Sequence, residues 1–304
     1  MSGLHIDSVQ LVPMTQEEYA AYERAMGEVI VEAGGIYWRR VRRFFYRPLV
    51  AFEPMDKVGL RGPRGARLGG WQYVVQDPGE ANSSMSFLMF RNIHEYTLQS
   101  RRRRRQVRSA EQIFAVRRIE EPEELISAHP VYVDFQRRTG YKYRVDRLDP
   151  YRFSEWAREV FRHPKVIVLG AWKDERIHAV EIIHLVGDTL NLGGFFATTE
   201  ALRENVGSLV LHAVRTLAAR SPNIKQIFAG LRKQGPQASV DNFYLERGCE
   251  VVTLPARLHV HPVTGWLLRT FRPDLWRRLL GQLVEDPKPV APAVAVKPDA
   301  EEVP

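Results

Sequence analysis

The chain has 304 residues, 44% of them hydrophobic and 26% charged. That length suits two ordinary domains or one large one. The composition excludes a mostly disordered chain, a collagen-like repeat and a disulfide-built mini-protein. No apolar run approaches the ~20 residues of a membrane-spanning helix. Met1 to Pro13 carries Asp7 and no cationic apolar leader, so no secretory signal is expected. The single cysteine, Cys249, allows neither an intrachain disulfide nor a cysteine-based zinc site, and no metal is expected. A soluble, cytoplasmic protein is the expectation.

The net charge is +8, and only 8 of the 44 basic residues are lysine, which leaves 36 arginines. Such a chain reflects either a GC-rich genome or guanidinium forks that bind phosphate and carboxylate bidentately. Residues 285–304 hold five prolines, five acids and two lysines with no helical or strand period, the pattern of a disordered tail.

From the N-terminus, Leu11 to Gly34 reads as a strand and then a helix. Thr15 is its cap, Tyr19, Tyr22, Ala25, Met26 and Val29 lie at helical spacing, and Gly34-Gly35 is its stop. Tyr37 to Leu49 mixes aromatics with arginine. Val58 to Gly70 is a loop by composition, Trp71 to Gln76 a short strand, and Ser86 to Phe90 a short apolar run. Ile93 to Phe114 turns helical and contains Arg101 to Arg105. Five consecutive arginines point all round a helix, so some must pair, cap backbone or meet a ligand. Three readings stand open: a solvated face paired with Glu111 or Glu120, a phosphate site for substrate or tRNA in which Arg104 and Arg108 take part, and a membrane-surface patch.

A strand from Phe114 to Ile119 comes next. Helices over Pro122 to Gly140, broken at Pro130, and Asp149 to Arg162 follow. Strands cover Lys165–Trp172, Ile177–Val186 and Thr189–Ala197. A long helix spans Thr199–Arg220, a strand Lys225–Leu231, a short helix Ser239–Arg247, a last strand Glu250–His261, and a basic amphipathic helix Gly265–Val284. Helices that mix Trp, Leu and Arg, as the last one does, either lie on anionic membranes or close a core.

The order of hairpin, third strand, long helix, strand, short helix and last strand over Val116 to His261 resembles a GNAT acyltransferase core. The segment Asn242-Phe243-Tyr244-Leu245-Glu246-Arg247-Gly248-Cys249 is its sharpest local piece. Tyr37-Trp38, Phe44 to Leu49 and the run Arg104-Arg105-Gln106-Val107-Arg108-Ser109-Ala110 resemble the Fem-like branch, in which two GNAT-type halves are joined by an arginine-bearing helix. The resemblance implies an α/β fold of two GNAT-like lobes, with mixed, mostly antiparallel sheets and flanking helices. Residues 1–115 would form a degenerate lobe ending in the arginine helix, 116–284 the acyltransferase lobe, and 285–304 the tail. It also implies transfer of an acyl group from acyl-CoA, a cosubstrate rather than a permanently bound cofactor, to a primary amine. Alternatives are an aminoacyl-tRNA donor with peptide-bond formation on a cell-wall-type precursor, and an inactive fold that serves as a binding module. The family's pyrophosphate loop is matched here by Arg203-Glu204-Asn205-Val206-Gly207-Ser208, whose single glycine comes one place late. The backbone amides there can still cradle phosphate.

Acyl transfer needs a neutral amine, a polarised carbonyl and a protonated leaving group. The resemblance places the reacting carbonyl in a gap between Leu190–Phe196 and Gln226–Leu231. Tyr244 is the candidate general acid, or else a tyrosine packed on the sheet. Glu181, mid-strand among apolar neighbours, is the candidate base, or else points to a solvated face. His184 lies three residues on, hence on the opposite strand face, and is a base or a structural histidine. Asn191 and Gly193 are substrate-binding candidates, with a glycine bulge as the alternative. Phe196, Ala197, Arg203, Val206, Gly207, Ser208 and Asn242 are donor-binding candidates. Asp241-Asn242 is also read as the cap of the short helix.

Overall fold

The computed structural model describes residues 2–56, 60–98, 100–232 and 238–281. The tail read over 285–304 lies outside them. In chain order the first elements are β1 (Gly3–His5), β2 (Pro13–Met14), α1 (Gln16–Ala25), β3 (Ile30–Ala33), β4 (Ile36–Arg42), β5 (Phe45–Pro48), β6 (Gly70–Val74), β7 (Ser83–Phe90) and α2 (Arg101–Glu111). Next come β8 (Ala115–Ile119), α3 (Pro122–Ser127), α4 (His129–Thr139), α5 (Pro150–Phe161), β9 (Val166–Lys173), β10 (Arg176–Val186) and β11 (Thr189–Ala197). The last are α6 (Thr199–Arg203), α7 (Val206–Arg220), β12 (Gln226–Leu231), α8 (Ala238–Leu245), β13 (Glu250–Val260), α9 (Pro262–Phe271) and α10 (Pro273–Leu279).

The strands form one mixed, mostly antiparallel sheet in the order β1-β8-β9-β10-β11-β12-β7-β13-β6-β5-β4-β3, with β2 alongside β10. Two core layers flank it. Val180, Ile182, Phe196, Phe87 and Met89 face α1, α3, α4 and α5. Ala179, Ile183, Leu185, Leu190 and Ile227 face α2 and α7. The α/β class expected from the sequence is the one observed. Strand β7 is buried on both sides, which is why Phe87-Leu88-Met89-Phe90 is continuously apolar rather than alternating. It lies between β12 and β13, so a strand from early in the chain completes the neighbourhood of the late ones.

Several element boundaries differ from the sequence reading. Helix α1 has its expected capping box, with Thr15 and Glu18 exchanging backbone bonds, but it stops at Ala25. Gly27 follows with φ +87°, and the β-branched Ile30-Val31 pairs with β4 instead of extending the helix. The last helix is two, because Pro273 lacks the N–H that would continue α9. Asp241 and Asn242 sit inside α8, which begins at Ala238, so they are not its cap.

Candidate functional site

Strands β11 and β12 run parallel but are paired only at Thr189–Gln226, Leu190–Ile227 and Asn191–Phe228. Beyond these positions both strands continue without pairing each other, and a seam opens in the sheet. On the β11 side the register against β10 slips between Ile182–Gly194 and Ile183–Leu192, leaving Gly193 as the extra residue of a bulge. Gly193 and Gly194 are exposed while their neighbours Asn191 and Phe196 are buried. A Cβ on Gly193 would stand 3.1 Å from the Ile182 carbonyl and 3.2 Å from His184 Cε1. A side chain at Gly193 would press on both neighbours, and the bulge holds unladdered β11 backbone at the seam.

Glu181 and Tyr244 flank this seam on one face. Glu181 sits on β10 opposite Phe195, in the part of β11 that has parted from β12. The residue is 5% exposed, and Oε1 has no hydrogen-bond partner among the described residues. Burial alone pushes its pKa up to about 8. Tyr244 reaches the same face from α8, its ring edge-on to Phe90 of β7 at 6.2 Å and to Phe243 at 5.4 Å. Burial, with the charge of Glu181 next in weight, pushes the phenol above its ordinary range, so it stays protonated. Cys249 closes the floor: its N–H donates to the Tyr244 carbonyl at 3.1 Å, and burial pushes its thiol up to about 12. A thiol held so high is no nucleophile.

The opposite face carries different groups. The His184 ring packs at a tilt against Tyr19 and Tyr22 of α1, with ring centroids at 4.9 and 5.4 Å. Neither ring nitrogen has a partner among the described residues. Burial, aided by the Arg39 charge, pulls its pKa down to about 3, so it is neutral. Arg39 bridges Glu23 at 2.7 Å and donates to the Tyr19 hydroxyl at 3.3 Å. The sequence reading did not single out Glu23 or Arg39; Arg39 stood only within the mixed aromatic and arginine run from Tyr37 to Leu49. Asn191 pairs across from His184 and faces this side, its amide donating to the Thr189 carbonyl at 3.1 Å.

The donor-binding candidates fall in different surroundings. The Phe196 side chain packs against Tyr132, Phe153 and Trp156, away from Tyr244, and Ala197 is wholly buried beside it. Val206 is a core residue and Gly207 lies under Phe243. The Ser208 hydroxyl accepts from Arg247 at 2.9 and 3.3 Å, and that guanidinium also caps the Phe243 carbonyl at 2.7 Å. At the start of α7 the Ser208 hydroxyl is thus engaged by an arginine of this chain. Helix α6 begins likewise occupied: the Thr199 N–H and hydroxyl donate to Asp134 at 2.5 and 2.9 Å. Arg203 and Asn242 are exposed.

Helix α2 has Arg101, Arg104, Arg105 and Arg108 on one exposed stripe, lining a shallow depression of about 460 Å³ with Ser109 and Gln112. Arg104 also caps the Leu98 carbonyl at 2.8 Å. The ion pair found for this helix joins Arg103 to Glu246, just past the end of α8, at 2.5 Å, not to Glu111 or Glu120, because α2 packs on α7. Arg104 and Arg108 thus lie on the outer surface, not in the seam. Among the described residues no cluster of three or more His, Cys, Asp or Glu is placed to hold a metal, and no helix is long and apolar enough to cross a membrane.

No family model and no curated protein matches the sequence. Solved structures do match the fold. FemX shares 9% sequence identity, with a TM-score of 0.54 over 84% of this chain and 93% of that one. A domain described as the C-terminal domain (DUF2156) of a lysylphosphatidylglycerol synthetase from Agrobacterium fabrum shares 10%, with a TM-score of 0.53 over 90% of this chain and 94% of that one. At such identities the likeness speaks to architecture, and the architecture of this chain is a Fem-like, GNAT-type fold.

Proposed function

We propose that this chain is an acyltransferase that moves an acyl group from a thioester, acyl-CoA in the first instance, to a primary amine at the β11–β12 seam. The observation that carries the reading is Glu181: a buried carboxyl with an unpartnered oxygen, poised near neutral pH, on the same face as the protonated Tyr244. A general base works best when its pKa lies near the working pH. Ionised Glu181 takes a proton from the ammonium, directly or through water. The amine attacks the carbonyl, whose developing oxyanion meets unladdered β11 N–H groups. The C–N bond forms, the second amine proton leaves to solvent, and the C–S bond breaks as Tyr244 protonates the thiolate. The tyrosinate recovers its proton from Glu181, which restores both groups.

A second reading, with aminoacyl-tRNA as donor, has specific support. The first N–H of α6 is committed to Asp134, a carboxylate where a CoA pyrophosphate would need an open amide. The α2 stripe adds to it. Arginines in the first turn oppose the helix dipole, and Ser100 offers no side-chain cap, so helix stability is not what they serve.

Thermal-shift titration with acetyl-CoA, longer acyl-CoAs and total tRNA, at low and high salt, separates these readings. A salt-tolerant rise with one acyl-CoA is expected from the first. A response to tRNA alone, lost in salt, moves the second ahead. Binding without turnover on any amine would leave a non-catalytic binding module. For the chemistry, Tyr244→Phe is expected to lower kcat about tenfold or more with donor affinity unchanged, since only the hydroxyl is lost. Unchanged turnover removes Tyr244 from the mechanism.

A further inference from the structure

Helices α9 and α10 present an apolar surface that the sheet does not use. Along α9, Val263, Trp266, Leu267 and Phe271 fall within one side of the helix, whereas Gly265 and Leu268 turn inward. Phe271 is 65% exposed and Trp266 58%, their rings edge-on at 6.0 Å. Leu275 of the adjoining α10 is exposed as well. Leu68, 63% exposed, joins it from the loop before β6, because the Thr264 hydroxyl donates to the Leu68 carbonyl at 2.6 Å and the His261 N–H to the Gly69 carbonyl at 2.8 Å. Single exposed apolar residues are ordinary, but a contiguous group that includes Trp and Phe marks a contact surface.

The charges around it are of one sign. Arg64 and Arg67 flank Leu68; Arg269, Arg272, Arg277 and Arg278 lie along the helices; all six are exposed. The one acid in these segments, Asp274, is already paired with Arg277 at 3.7 Å. Arg67 and His261 also line a cleft of about 350 Å³ at the junction of loop and helix, of a size for a phosphate-bearing headgroup. A protein partner would have to combine an apolar centre with an acidic rim. A bilayer containing anionic lipid supplies both over any lateral extent.

We propose that the outer face of α9 and α10, with Leu68, Arg64 and Arg67, docks on an anionic lipid bilayer, with Trp266 and Phe271 entering the acyl boundary and the arginines meeting lipid phosphates. This does not depend on the chemistry at the seam. It concerns a surface laid on a membrane, not a span across one.

The test is flotation of the full chain with phosphatidylcholine vesicles, with and without phosphatidylglycerol. Binding is expected only where phosphatidylglycerol is present. Trp266→Ser with Phe271→Ser is expected to weaken it about tenfold or more, from the lost burial of two aromatic side chains. Arg101→Gln with Arg105→Gln, on the separate α2 stripe, is expected to retain most of it. Trp266→Phe is expected to keep binding but to lose much of the quenching of tryptophan emission by bromine-labelled lipid. The proposal is overturned by no binding to either vesicle, by equal binding of the double serine variant, or by binding that the α2 variant alone abolishes. It is also overturned if the chain binds no vesicle and is a dimer that the serine variant splits, which would make a second copy the occupant.

Discussion

Glu181 and His184 stand three residues apart on β10, both buried, both with ring or carboxyl atoms that lack partners, and both driven toward their neutral forms by loss of water. The same force moves the two groups in opposite directions because the neutral form of a carboxyl is the protonated one and that of an imidazole the deprotonated one. Burial lifts the carboxyl from 4.5 to about 8, into the range where it exchanges protons at neutral pH. It drops the imidazole from 6.5 to about 3, out of that range. The surroundings reinforce the contrast. Glu181 shares its face with Tyr244 beside an open seam, while His184 is enclosed by Tyr19, Tyr22 and the Arg39–Glu23 pair. Desolvation makes one group a proton carrier and the other a packing element.

The comparison breaks most sharply at Glu181. Glu181→Gln is expected to lower kcat about a hundredfold or more, the usual worth of a positioned base. In the wild type kcat/KM should rise with pH toward a plateau with an apparent pKa near 8. The same substitution acts on stability with a definite sign. Between pH 4.5 and 8 the folded carboxyl holds its proton while the unfolded one has released it. Wild-type stability therefore falls as pH rises through that window, by on the order of 5 kcal/mol in full. Glutamine removes this loss, so the variant should match the wild type near pH 4.5 and exceed it at pH 8 in denaturant unfolding. A variant that loses stability at pH 8 would show that the carboxylate is held by a partner in solution.

His184 gives the mirror result. Its folded pKa lies below its unfolded one, so its contribution is intact above pH 6.5 and is lost as pH falls toward 3. Between pH 6.5 and 5 the loss is on the order of 2 kcal/mol. His184→Phe, which keeps an aromatic ring against Tyr19 and Tyr22, should flatten this part of the stability curve. Equal slopes in both proteins would mean that the imidazole protonates in place and is not sealed off. Glu23, whose carboxyl burial holds above the usual range despite Arg39, titrates with the opposite sign and is common to both proteins, so it cancels in their difference.

Period-two alternation was enough to place Glu181 and His184 on opposite faces from sequence, and the run from β9 to β12 with its long helix was legible because each element is local and strongly patterned. What stayed hidden was set by distant partners. Phe87 to Phe90 reads as a fragment because a strand covered on both faces has no alternation, and nothing local says that it pairs with β12 and β13. Phe196 is as apolar as Phe195, and only the phase at the Gly193 bulge decides which of them turns to the seam. Ser208 meets Arg247 from 39 residues away, and Arg103 meets Glu246 from 143. No motif at either serine or arginine encodes those pairings. The α9–α10 break is legible in Pro273, which interrupts an otherwise continuous amphipathic period.

The smallest expected effect concerns the start of α6, whose first N–H is already committed. Asp134 acts as an external cap on α6, accepting from the Thr199 N–H and hydroxyl, and these bonds hold its pKa below the usual carboxylate range. Asp134→Ala should cost roughly 1 kcal/mol, the worth of a lost cap, and lower the melting temperature by a few degrees. It should also vacate the amide. Inorganic pyrophosphate is then expected to raise the melting temperature of the variant and to leave the wild type unmoved, because an anion at a helix start needs an N–H that is not already committed. An equal rise in both proteins would place the anion elsewhere, with the α2 arginines as the next position to substitute. No rise in either would mean that Asp134 serves the helix alone and guards no phosphate site.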